Sequence, residues 1–425
     1  MTLREPGYRD RLADSALARL LSVMGAVSVE GPKWCGKTWT SLSRGESVYF
    51  VADPTGNFRN RELAALDPAS ALAGAAPHVI DEWQEIPALW DAVRFAVDRT
   101  QERGRFILTG SSAPRKDQTS HSGTGRVARL RMRPMSLFES GEADGRAGLA
   151  RLLEGQEIAA AAGQLTLAEV AGLVVRGGWP GAVSLNARDA QLVAGAYVDE
   201  LVDSDISAVD GVRRDPVKVR ALVDSLARNA ATTATMESLR RDMAEAGETV
   251  AESTLRDYLT ALGRLYVLES IPAWTPALRS PIRLRQAPKR MLVDPSLAAV
   301  ALGADVAGLK AEPKTLGLLF ESLVLRDLLV YAQALGAQVR HYRDNAGLEV
   351  DAIIVMPGGQ WIGIEIKLGF TQVDKAAQSL LRLKRKMADG GHPEPTALAV
   401  VVGVGSFARR RDDGVEVVPV DLFGP

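Results

Sequence analysis

The chain has 425 residues, of which 46% are apolar and 24% charged, and its net charge is −1 at pH 7. These fractions exclude a chain that is disordered throughout, and the near-zero net charge excludes a protein held on nucleic acid by its overall charge. Cys35 is the only cysteine, so no disulfide can form within the chain. The beginning of the sequence lacks the apolar segment of a signal peptide, and no run of about 18 apolar residues occurs. We therefore expect a cytoplasmic protein of about three domains with no membrane span.

The first third of the chain alternates short β-branched runs with helical patterns. Apolar residues recur at helical spacing in residues 88–100, and strands are predicted at residues 26–30, 47–52, 78–80 and 105–108. Such alternation predicts an α/β fold in which helices cover both faces of a parallel sheet. Residues 111–124 are rich in Ser, Thr, Gly and Lys and are predicted to form a mobile loop.

The rest of the chain is predicted to hold three further parts. Three helices followed by a strand pair resemble a winged helix, whose third helix would be the recognition helix. The helices are predicted at 217–229, 236–245 and 251–262, and a strand at 266–271. The last section combines two helices, at 316–335 and 373–387, with strands at 338–342, 348–356, 361–367 and 396–403. We expect a core at 1–145, a helical linker or lid at 146–214, a winged-helix-like domain at 215–305 and an α/β domain at 306–425.

Residues 31–38 match the phosphate-binding pattern GxxxxGK(S/T) in full, between a predicted strand and a predicted helix. Glycines let backbone N–H groups turn toward phosphate oxygens, and the start of a helix adds a favourable potential. Lys37 is expected to neutralise the β- and γ-phosphates and Thr38 to ligate Mg²⁺. ATP is therefore the expected ligand of Gly31, Pro32, Lys33, Trp34, Cys35, Gly36, Lys37 and Thr38.

Hydrolysis needs further groups at the ends of neighbouring strands. Asp81 is expected to hold the Mg²⁺ together with Thr38, and Glu82 to polarise the attacking water, which favours hydrolysis over binding alone. Thr109 and Ser111 end another strand, where a polar group can sense the γ-phosphate; a simple turn is the alternative. Arg126 is expected to reach the phosphate of a neighbouring subunit, and a surface arginine or a DNA contact are the alternatives.

A second set of charged residues lies in the last section. Glu321 is on a predicted helix, Asp351 is on a predicted strand, and Glu365 and Lys367 share one face of the next strand. The three carboxylates would bind a second divalent metal, Lys367 would position or activate a water, and Gln378 would complete the site. This order resembles the PD-(D/E)xK restriction-endonuclease-like superfamily. An active nuclease, an inactive fold with retained carboxylates, and ion-paired strand faces all remain open.

Motifs along nearly the whole chain resemble bacterial and archaeal AAA+ family ATP-binding proteins with a C-terminal domain of unknown function. The motifs are GPKWCGKT, VIDEWQEIP, FILTGSS, GRVARLRMRPMSLFE, RGGWPGAV, YVDELVDSDIS, FESLV, EVDAII and IEIK. The resemblance implies an AAA+-like ATPase core, a winged helix, an endonuclease-like fold and a homo-oligomer. The chain departs from the usual family pattern at Trp34-Cys35, and in having Thr and Ser where many members have a sensor Asn.

Basic clusters occur at 126–133, 279–290, 382–386 and 409–411. Such clusters favour DNA binding without sequence information, although the predicted recognition helix carries a mixed set of charges. Three functional hypotheses follow. They are an ATPase linked to nucleic acid, an ATP-dependent nuclease, and a nucleotide-controlled protein-interaction switch with an inactive nuclease fold.

Overall fold

The computed structural model describes residues 3–112, 122–158, 161–277, 286–405 and 407–425. The chain forms two compact units. Unit 1 comprises Met1–Pro134, Ser204–Arg214 and Leu259–Val267, and unit 2 comprises Met135–Asp203, Asp215–Tyr258 and Leu268–Pro425. The four-part division expected from the sequence does not coincide with these units, because the expected parts 146–214 and 215–305 are each divided between them, and it stays a prediction. Most of the expected loop at 111–124 and part of the basic cluster at 279–290 lie outside the described residues.

Unit 1 contains a five-stranded parallel sheet with the strand order β2-β3-β4-β1-β5. Its strands are β1 (Ala26–Glu30), β2 (Ser47–Phe50), β3 (His78–Asp81), β4 (Phe106–Gly110) and β5 (Val127–Arg131). Its helices are α1 (Leu12–Val23), α2 (Lys37–Leu42), α3 (Thr55–Leu66), α4 (Ala88–Thr100) and, further along the chain, α9 (Ile206–Ala208). The expected parallel sheet is confirmed, and the carboxyl ends of β1, β3 and β4 meet at one edge.

Both faces of this sheet are covered, because successive side chains of a strand point to opposite faces. Helices α1 and α2 cover one face, where Leu17 of α1 packs with Val29 of β1. Helix α4 covers the other face, where its Trp90 packs with Ile80 of β3. All four side chains are almost completely buried, so the sheet is rigid where the motif residues are attached.

Unit 2 is built on a mixed seven-stranded sheet with the order β10-β11-β12-β13-β15-β14-β7. Its strands are β7 (Ala161–Ala162), β10 (Gln338–Arg343), β11 (Glu349–Val355), β12 (Trp361–Gly369), β13 (Ala397–Val404), β14 (Phe407–Arg410) and β15 (Glu416–Pro419). Two small sheets pair β6 (Ala147–Gly148) with β16 (Phe423–Gly424), and β8 (Leu268–Ile271) with β9 (Lys289–Leu292).

The helices of unit 2 are α5 (Leu137–Ser140), α6 (Leu149–Leu153), α7 (Leu167–Arg176), α8 (Ala187–Glu200), α10 (Pro216–Arg228), α11 (Met236–Glu245), α13 (Pro295–Ala301), α14 (Val306–Ala311), α15 (Pro313–Ala334) and α16 (Val373–Asp389). Helix α12 (Glu252–Arg264) is divided, because its residues from Leu259 onward belong to unit 1. The three helices and the following strand expected of a winged helix are present as α10, α11, α12 and β8. Within the described ranges, no helix combines the length and the hydropathy that a membrane crossing requires.

Two helices lie against the central strands of the mixed sheet. Helix α16 packs on β11, β12 and β13 through an apolar cluster that includes Val350 of β11 and Leu380 of α16. Helix α15 packs on β10 and β12 and contributes no residue to that cluster. Since Asp351 follows Val350 in an extended strand, its side chain points to the face away from α16. Asp351 is thereby directed toward the part of the sheet covered by α15.

A fully buried charge network joins four segments of unit 2. The guanidinium of Arg326 on α15 lies 2.9 Å from Asp294 Oδ2 and 2.7 Å from Asp327 Oδ1. Asp294 also accepts a hydrogen bond from the Gly178 backbone N–H, and Asp327 accepts one from the Leu137 backbone N–H. A buried charge is tolerated only when it is paired and hydrogen-bonded, so this network fixes how the four segments pack.

We predict that Gly178→Ala destabilises the chain. A methyl group at this position would lie 2.1 Å from the Met135 carbonyl oxygen and 2.8 Å from Arg326 Nη1. Overpacking of this kind costs about 1–3 kcal/mol, so Tm measured by calorimetry should fall. Gly181→Ala, in the same loop, is the matched control, because nothing lies within 4 Å of its added methyl group. Equal Tm values for the two variants would contradict the prediction.

Candidate nucleotide site and C-terminal carboxylate cluster

The phosphate-binding loop connects the end of β1 to the start of α2, as the sequence predicts. Its backbone is tight: a methyl group on Gly31 would lie 2.5 Å from the Met132 carbonyl oxygen. Trp34 and Gly36 adopt positive φ values of 66° and 99°. The Trp34 side chain is 64% exposed, whereas Cys35 is buried. Trp34 therefore contributes mainly backbone to the loop, and Cys35 fills space beneath it.

Lys37 is held inside the loop rather than in solvent. Its side chain is nearly buried, and Nζ donates a hydrogen bond of 2.9 Å to the Pro32 carbonyl oxygen. A neutral carbonyl is a weaker partner for an ammonium group than an anion is, because hydrogen bonds between two charged groups are the stronger ones. This arrangement leaves Lys37 poised to exchange its partner for a phosphate oxygen.

Asp81 at the end of β3 receives two hydroxyl groups on one oxygen. Thr38 Oγ1 donates to Asp81 Oδ1 over 2.8 Å, and Thr109 Oγ1 donates to the same atom over 2.7 Å. Burial raises the pKa of Asp81, while the hydrogen bonds from Thr109 and Thr38 act in the opposite direction. The three strand ends that carry these groups are adjacent because β4 lies between β1 and β3. The structure thus brings together three residues that the sequence placed in separate motifs.

Glu82 follows Asp81 in a left-handed backbone conformation with φ 56°. Its backbone N–H donates to Thr109 Oγ1 over 3.0 Å, and its carboxylate accepts hydrogen bonds from Ser111 Oγ and from the Gln84 side-chain amide. Thr109 and Ser111 therefore contact the two acidic residues directly. Gln84 was not singled out from the sequence, although it lies in the same DEWQ segment and shares the Glu82 carboxylate.

Arg126, the expected arginine finger, is paired within unit 1. Its Nε atom lies 2.7 Å from Asp98 Oδ1 on α4, and its side chain is about half exposed. The role between subunits stays a prediction, since a single chain does not test it. If Arg126 acts in this way, it must first leave Asp98.

The segment before α1 supports the phosphate loop, a role that the sequence did not indicate. Arg11 donates hydrogen bonds to the backbone carbonyls of Cys35 over 2.8 Å and of Arg133 over 2.9 Å. Tyr8 donates to Asp14 over 2.6 Å and shares a hydrogen bond with Thr40 of α2. These contacts fix the back of the loop. No local motif marks the role of Arg11, because its two carbonyl partners lie 24 and 122 residues away.

Lys33 connects the phosphate loop to a distant part of unit 1. Its Nζ lies 2.6 Å from Asp205 Oδ1, which precedes α9 in the YVDELVDSDIS segment. Asp205 is mostly buried while Lys33 is half exposed. The loop is therefore in contact with a segment that joins the sheet only through tertiary structure.

The residues at the phosphate loop fit a magnesium–nucleotide complex. Mg²⁺ prefers oxygen ligands, and the Thr38 hydroxyl and the Asp81 carboxylate lie side by side at the end of the loop. These two groups would hold the ion. Among the described residues, by contrast, no group of three or more His, Cys, Asp and Glu side chains is arranged to hold a metal. The second divalent metal expected in the C-terminal part finds no support.

The acidic residues expected in the C-terminal part do come together in unit 2. Lys367 Nζ lies 2.8 Å from Asp351 Oδ2 and 2.6 Å from Glu365 Oε2. The Ile366 backbone N–H also donates to Asp351 Oδ2, over 2.9 Å. Glu321 on α15 joins the cluster through an ion pair with Lys289. We call Glu321, Asp351, Glu365 and Lys367, together with Lys289, the carboxylate cluster.

Lys289 is the member that the sequence analysis missed. Its Nζ lies 2.5 Å from Glu321 Oε1 and 3.5 Å from Asp351 Oδ1, and its side chain is 1% exposed. Lys289 was counted in the basic cluster at 279–290 that favours DNA binding, but its buried side chain is not accessible to a phosphate backbone. In the antiparallel pairing of β9 with β8, Lys289 lies opposite Ile271. At this position its side chain is buried and contacts the carboxylates.

Gln378 is not brought into this cluster. It is exposed on α16, and within the described residues no hydrogen bond joins it to the cluster. A groove of about 720 Å³ instead runs past the cluster and is lined by Lys314, Glu321, Lys367 and Gln372, among others. The glutamine that lines the groove is Gln372, which immediately precedes α16, whereas Gln378 is not part of the lining.

Burial and mutual repulsion shape the charges of the carboxylate cluster. Burial raises the pKa of Glu321 and of Glu365 above the usual range of a glutamate, and the charge of Asp351 adds to this. Burial also opposes charge on Asp351, but Lys289 and Lys367 outweigh it and lower its pKa. For both lysines the carboxylates outweigh burial and raise the pKa. At neutral pH both lysines and Asp351 are therefore charged.

Three known domain families match successive parts of the chain. Residues 24–140 match the AAA domain family, and this range includes the phosphate loop, Asp81, Glu82 and Arg126. Residues 168–307 and 316–423 match two domains of unknown function, DUF8612 and DUF4143. The chain therefore has an N-terminal AAA-type P-loop domain followed by two domains for which the families supply no activity. Lys289 belongs to the first of these two, and the other members of the carboxylate cluster belong to the second.

The chain is also similar to two uncharacterized proteins and, weakly, to solved structures. Uncharacterized proteins of Mycobacterium bovis and Mycobacterium tuberculosis are each 28% identical over 362 residues, covering 84% of this chain and 73% of the relative. The Walker-type ATPase of Pyrococcus abyssi has a TM-score of 0.44 at 13% identity, covering 71% of this chain and 97% of that one. The replication initiator DnaA, bound to AMPPCP and single-stranded DNA, has a TM-score of 0.29 at 13% identity, covering 61% and 89%. Scores this low support no shared function.

We predict that Thr109→Val slows ATP turnover by about 10- to 100-fold. The variant keeps the shape of the side chain but removes the hydroxyl that contacts Asp81 and the Glu82 backbone, and a hydrogen bond to a charged group contributes about 1.5–3 kcal/mol. Steady-state phosphate release measures the effect. Thr109→Ser keeps the hydroxyl and should stay close to the parent. A Val variant as fast as the Ser variant would contradict the prediction.

Proposed function

We propose that this protein binds Mg²⁺-ATP at the phosphate loop and hydrolyses it. The observation that carries the proposal is the double hydrogen bond at Asp81, which aligns Thr38 and Thr109 on one carboxylate oxygen. The AAA family match over residues 24–140 supports nucleotide binding. Hydrolysis is the further step, and it rests on Glu82 next to the metal-binding pair.

The reaction is a transfer of the γ-phosphoryl group to water. Lys37, freed from the Pro32 carbonyl, binds the phosphate oxygens, while Thr38 and Asp81 hold the ion. Mg²⁺, when bound, neutralises part of the phosphate charge. Glu82 accepts a proton from the water whose oxygen attacks the γ-phosphorus, and the bond from that phosphorus to the β-phosphate oxygen breaks. Ser111 and Gln84 orient the Glu82 carboxylate by hydrogen bonds.

The proposed link to nucleic acid receives mixed support from the charges. Several basic side chains of the clusters are paired within their own unit, in the contacts Arg126–Asp98, Arg129–Glu30, Lys386–Asp344 and Arg411–Asp374. Residues 236–260, which include α11 and most of α12, carry six carboxylates and three arginines, a net charge of −3. A phosphate backbone is attracted by positive charge, so this surface disfavours DNA. DNA binding stays a prediction that the assay below tests.

A nucleotide-controlled protein-interaction switch is the second candidate function. The acidic surface of α11 and α12 favours a protein partner over DNA. The contact between Lys33 and Asp205 also couples the phosphate loop to the segment around α9, so that phosphate binding at Lys33 competes with Asp205. In this alternative, ATP binds and changes partner affinity, and turnover does not respond to DNA.

The deciding assay is steady-state ATP hydrolysis with Mg²⁺, with and without duplex and single-stranded DNA. Lys37→Ala removes the positive charge that stabilises the phosphate oxygens in the transition state, and it should lower turnover by about 100-fold or more. Glu82→Gln removes the proposed base and should lower it by about 100- to 10,000-fold while ATP still binds. Lys310→Ala, at an exposed lysine of α14, is the charge-matched control and should match the parent.

The outcomes separate the candidates. Turnover that both variants lose supports the ATPase, and stimulation by DNA that weakens with salt supports the link to nucleic acid. ATP binding without turnover in the parent, abolished by Lys37→Ala, leaves the switch. Absence of ATP binding in the parent would overturn both candidates.

A further inference from the structure

The carboxylate cluster contains its own cation. Lys289 Nζ lies between Glu321 Oε1 at 2.5 Å and Asp351 Oδ1 at 3.5 Å. These two oxygens come from α15 and β11, and a metal shared by the two carboxylates would have to contact both. Divalent ions bind oxygen ligands at about 2.0–2.6 Å, so the ion would need the space between them. The ammonium group fills that space.

The second oxygen of Asp351 is also engaged. Asp351 Oδ2 accepts hydrogen bonds from Lys367 Nζ over 2.8 Å and from the Ile366 backbone N–H over 2.9 Å. Lys367 bridges onward to Glu365 Oε2. Every oxygen of Asp351 therefore has a donor, and two ammonium groups face three carboxylates. A dication that bridges Asp351 and Glu321 would have to displace Lys289, whose ammonium group already contacts both side chains.

Lys289 enters the cluster from outside the endonuclease-like part of the chain. It lies on β9, in the hairpin that follows the three helices α10, α11 and α12, and not on the strands that carry the acidic residues. It is absent from the lining of the groove, which reaches Glu321 and Lys367. Because the Lys289 side chain is only 1% exposed, a dissolved ion cannot take its place unless β9 moves.

We propose that Lys289 is a built-in substitute for a catalytic metal, so that the folded C-terminal part binds no divalent ion at the carboxylate cluster and cleaves no phosphodiester bond. This inference is independent of ATP hydrolysis, because the residues involved belong to unit 2 and none belongs to the phosphate loop. It resolves the three interpretations left open by the sequence in favour of a fold that keeps its carboxylates without nuclease chemistry. The residue types alone suggested a metal site, and the contacts of Lys289 argue against it.

The first test is a Mn²⁺ titration of the full chain by calorimetry without nucleotide, in an Asp81→Asn background that removes the metal ligand of the phosphate loop. The expected result is the same heat with and without the additional Asp351→Asn substitution. Mn²⁺ binding that disappears with Asp351→Asn overturns the proposal. This outcome is independent of whether the parent hydrolyses ATP.

The second test removes the Lys289 ammonium group so that a divalent ion can bind at the carboxylate cluster. Lys289→Met removes the charge, keeps much of the length of the side chain, and leaves buried carboxylates that repel one another. The expected result is a lowered Tm that rises again with MnCl2, because a ligand that binds only the folded state stabilises it. The parent, Lys310→Met and Lys289→Met/Asp351→Asn should show no such rise. A Lys289→Met variant whose Tm ignores MnCl2 overturns the proposal.

Folding failure of Lys289→Met does not leave the question undecided. Lys289→Met/Glu321→Gln removes one charge of each sign and is expected to fold without MnCl2 and to bind none. If this variant folds only with MnCl2, or if the calorimetric test shows an Asp351-dependent site, the proposal is overturned.

A supercoiled plasmid with MgCl2 or MnCl2 gives an independent readout. Parent and Asp351→Asn should leave it equally intact, and nicking by the parent that Asp351→Asn abolishes overturns the proposal.

Discussion

The buried guanidinium of Arg326 holds four segments of unit 2 together. Its partners Asp294 and Asp327 are themselves completely buried, and each also accepts a backbone N–H from another segment. Removal of one partner from such a network typically costs about 3–5 kcal/mol, so the segments cannot shift independently. The network also fixes the rotation of α15, and five residues earlier on that helix Glu321 reaches Lys289. The position of Glu321 in the carboxylate cluster therefore depends on Arg326, which is not a member of that cluster.

Unit 1 depends on strand order in a comparable way. Because β4 lies between β1 and β3, the groups that follow these strands meet at one edge, where Thr38, Asp81 and Thr109 share one hydrogen-bonding centre. The charged groups at this edge have exchangeable partners. Lys37 is bound to a carbonyl and Lys33 to Asp205, and both contacts compete with a phosphate. In the proposed function, a phosphate that takes Lys33 from Asp205 would break the ion pair between the phosphate loop and the segment around α9.

Sequence patterns predicted the elements well where the signal was local. The phosphate loop and α4 were predicted from spacing, and the structure confirms the strand before the loop and the bounds of α4. The C-terminal acidic residues were also grouped correctly, because alternation along β12 puts Glu365 and Lys367 on one face. Gln378 was expected to complete this cluster, but within the described residues no hydrogen bond joins it to the other members. The position of a residue on a helix depends on where that helix begins, and Gln372 lies beside the groove instead.

The sequence by itself determined the class of the N-terminal domain, since a phosphate loop is made by eight consecutive residues whose backbone does the binding. It also determined which acidic residues could meet. The tertiary structure decided which positively charged side chain contacts these acidic residues. Lys289 is 32 residues from Glu321 and 62 from Asp351, and in the sequence it belongs to a basic segment that looks exposed. The energy of an ion pair depends on distance and on exclusion of water, and only packing sets either quantity. For the same reason the supports of the phosphate loop at Arg11, and the burial of Arg326, became visible only in the folded chain.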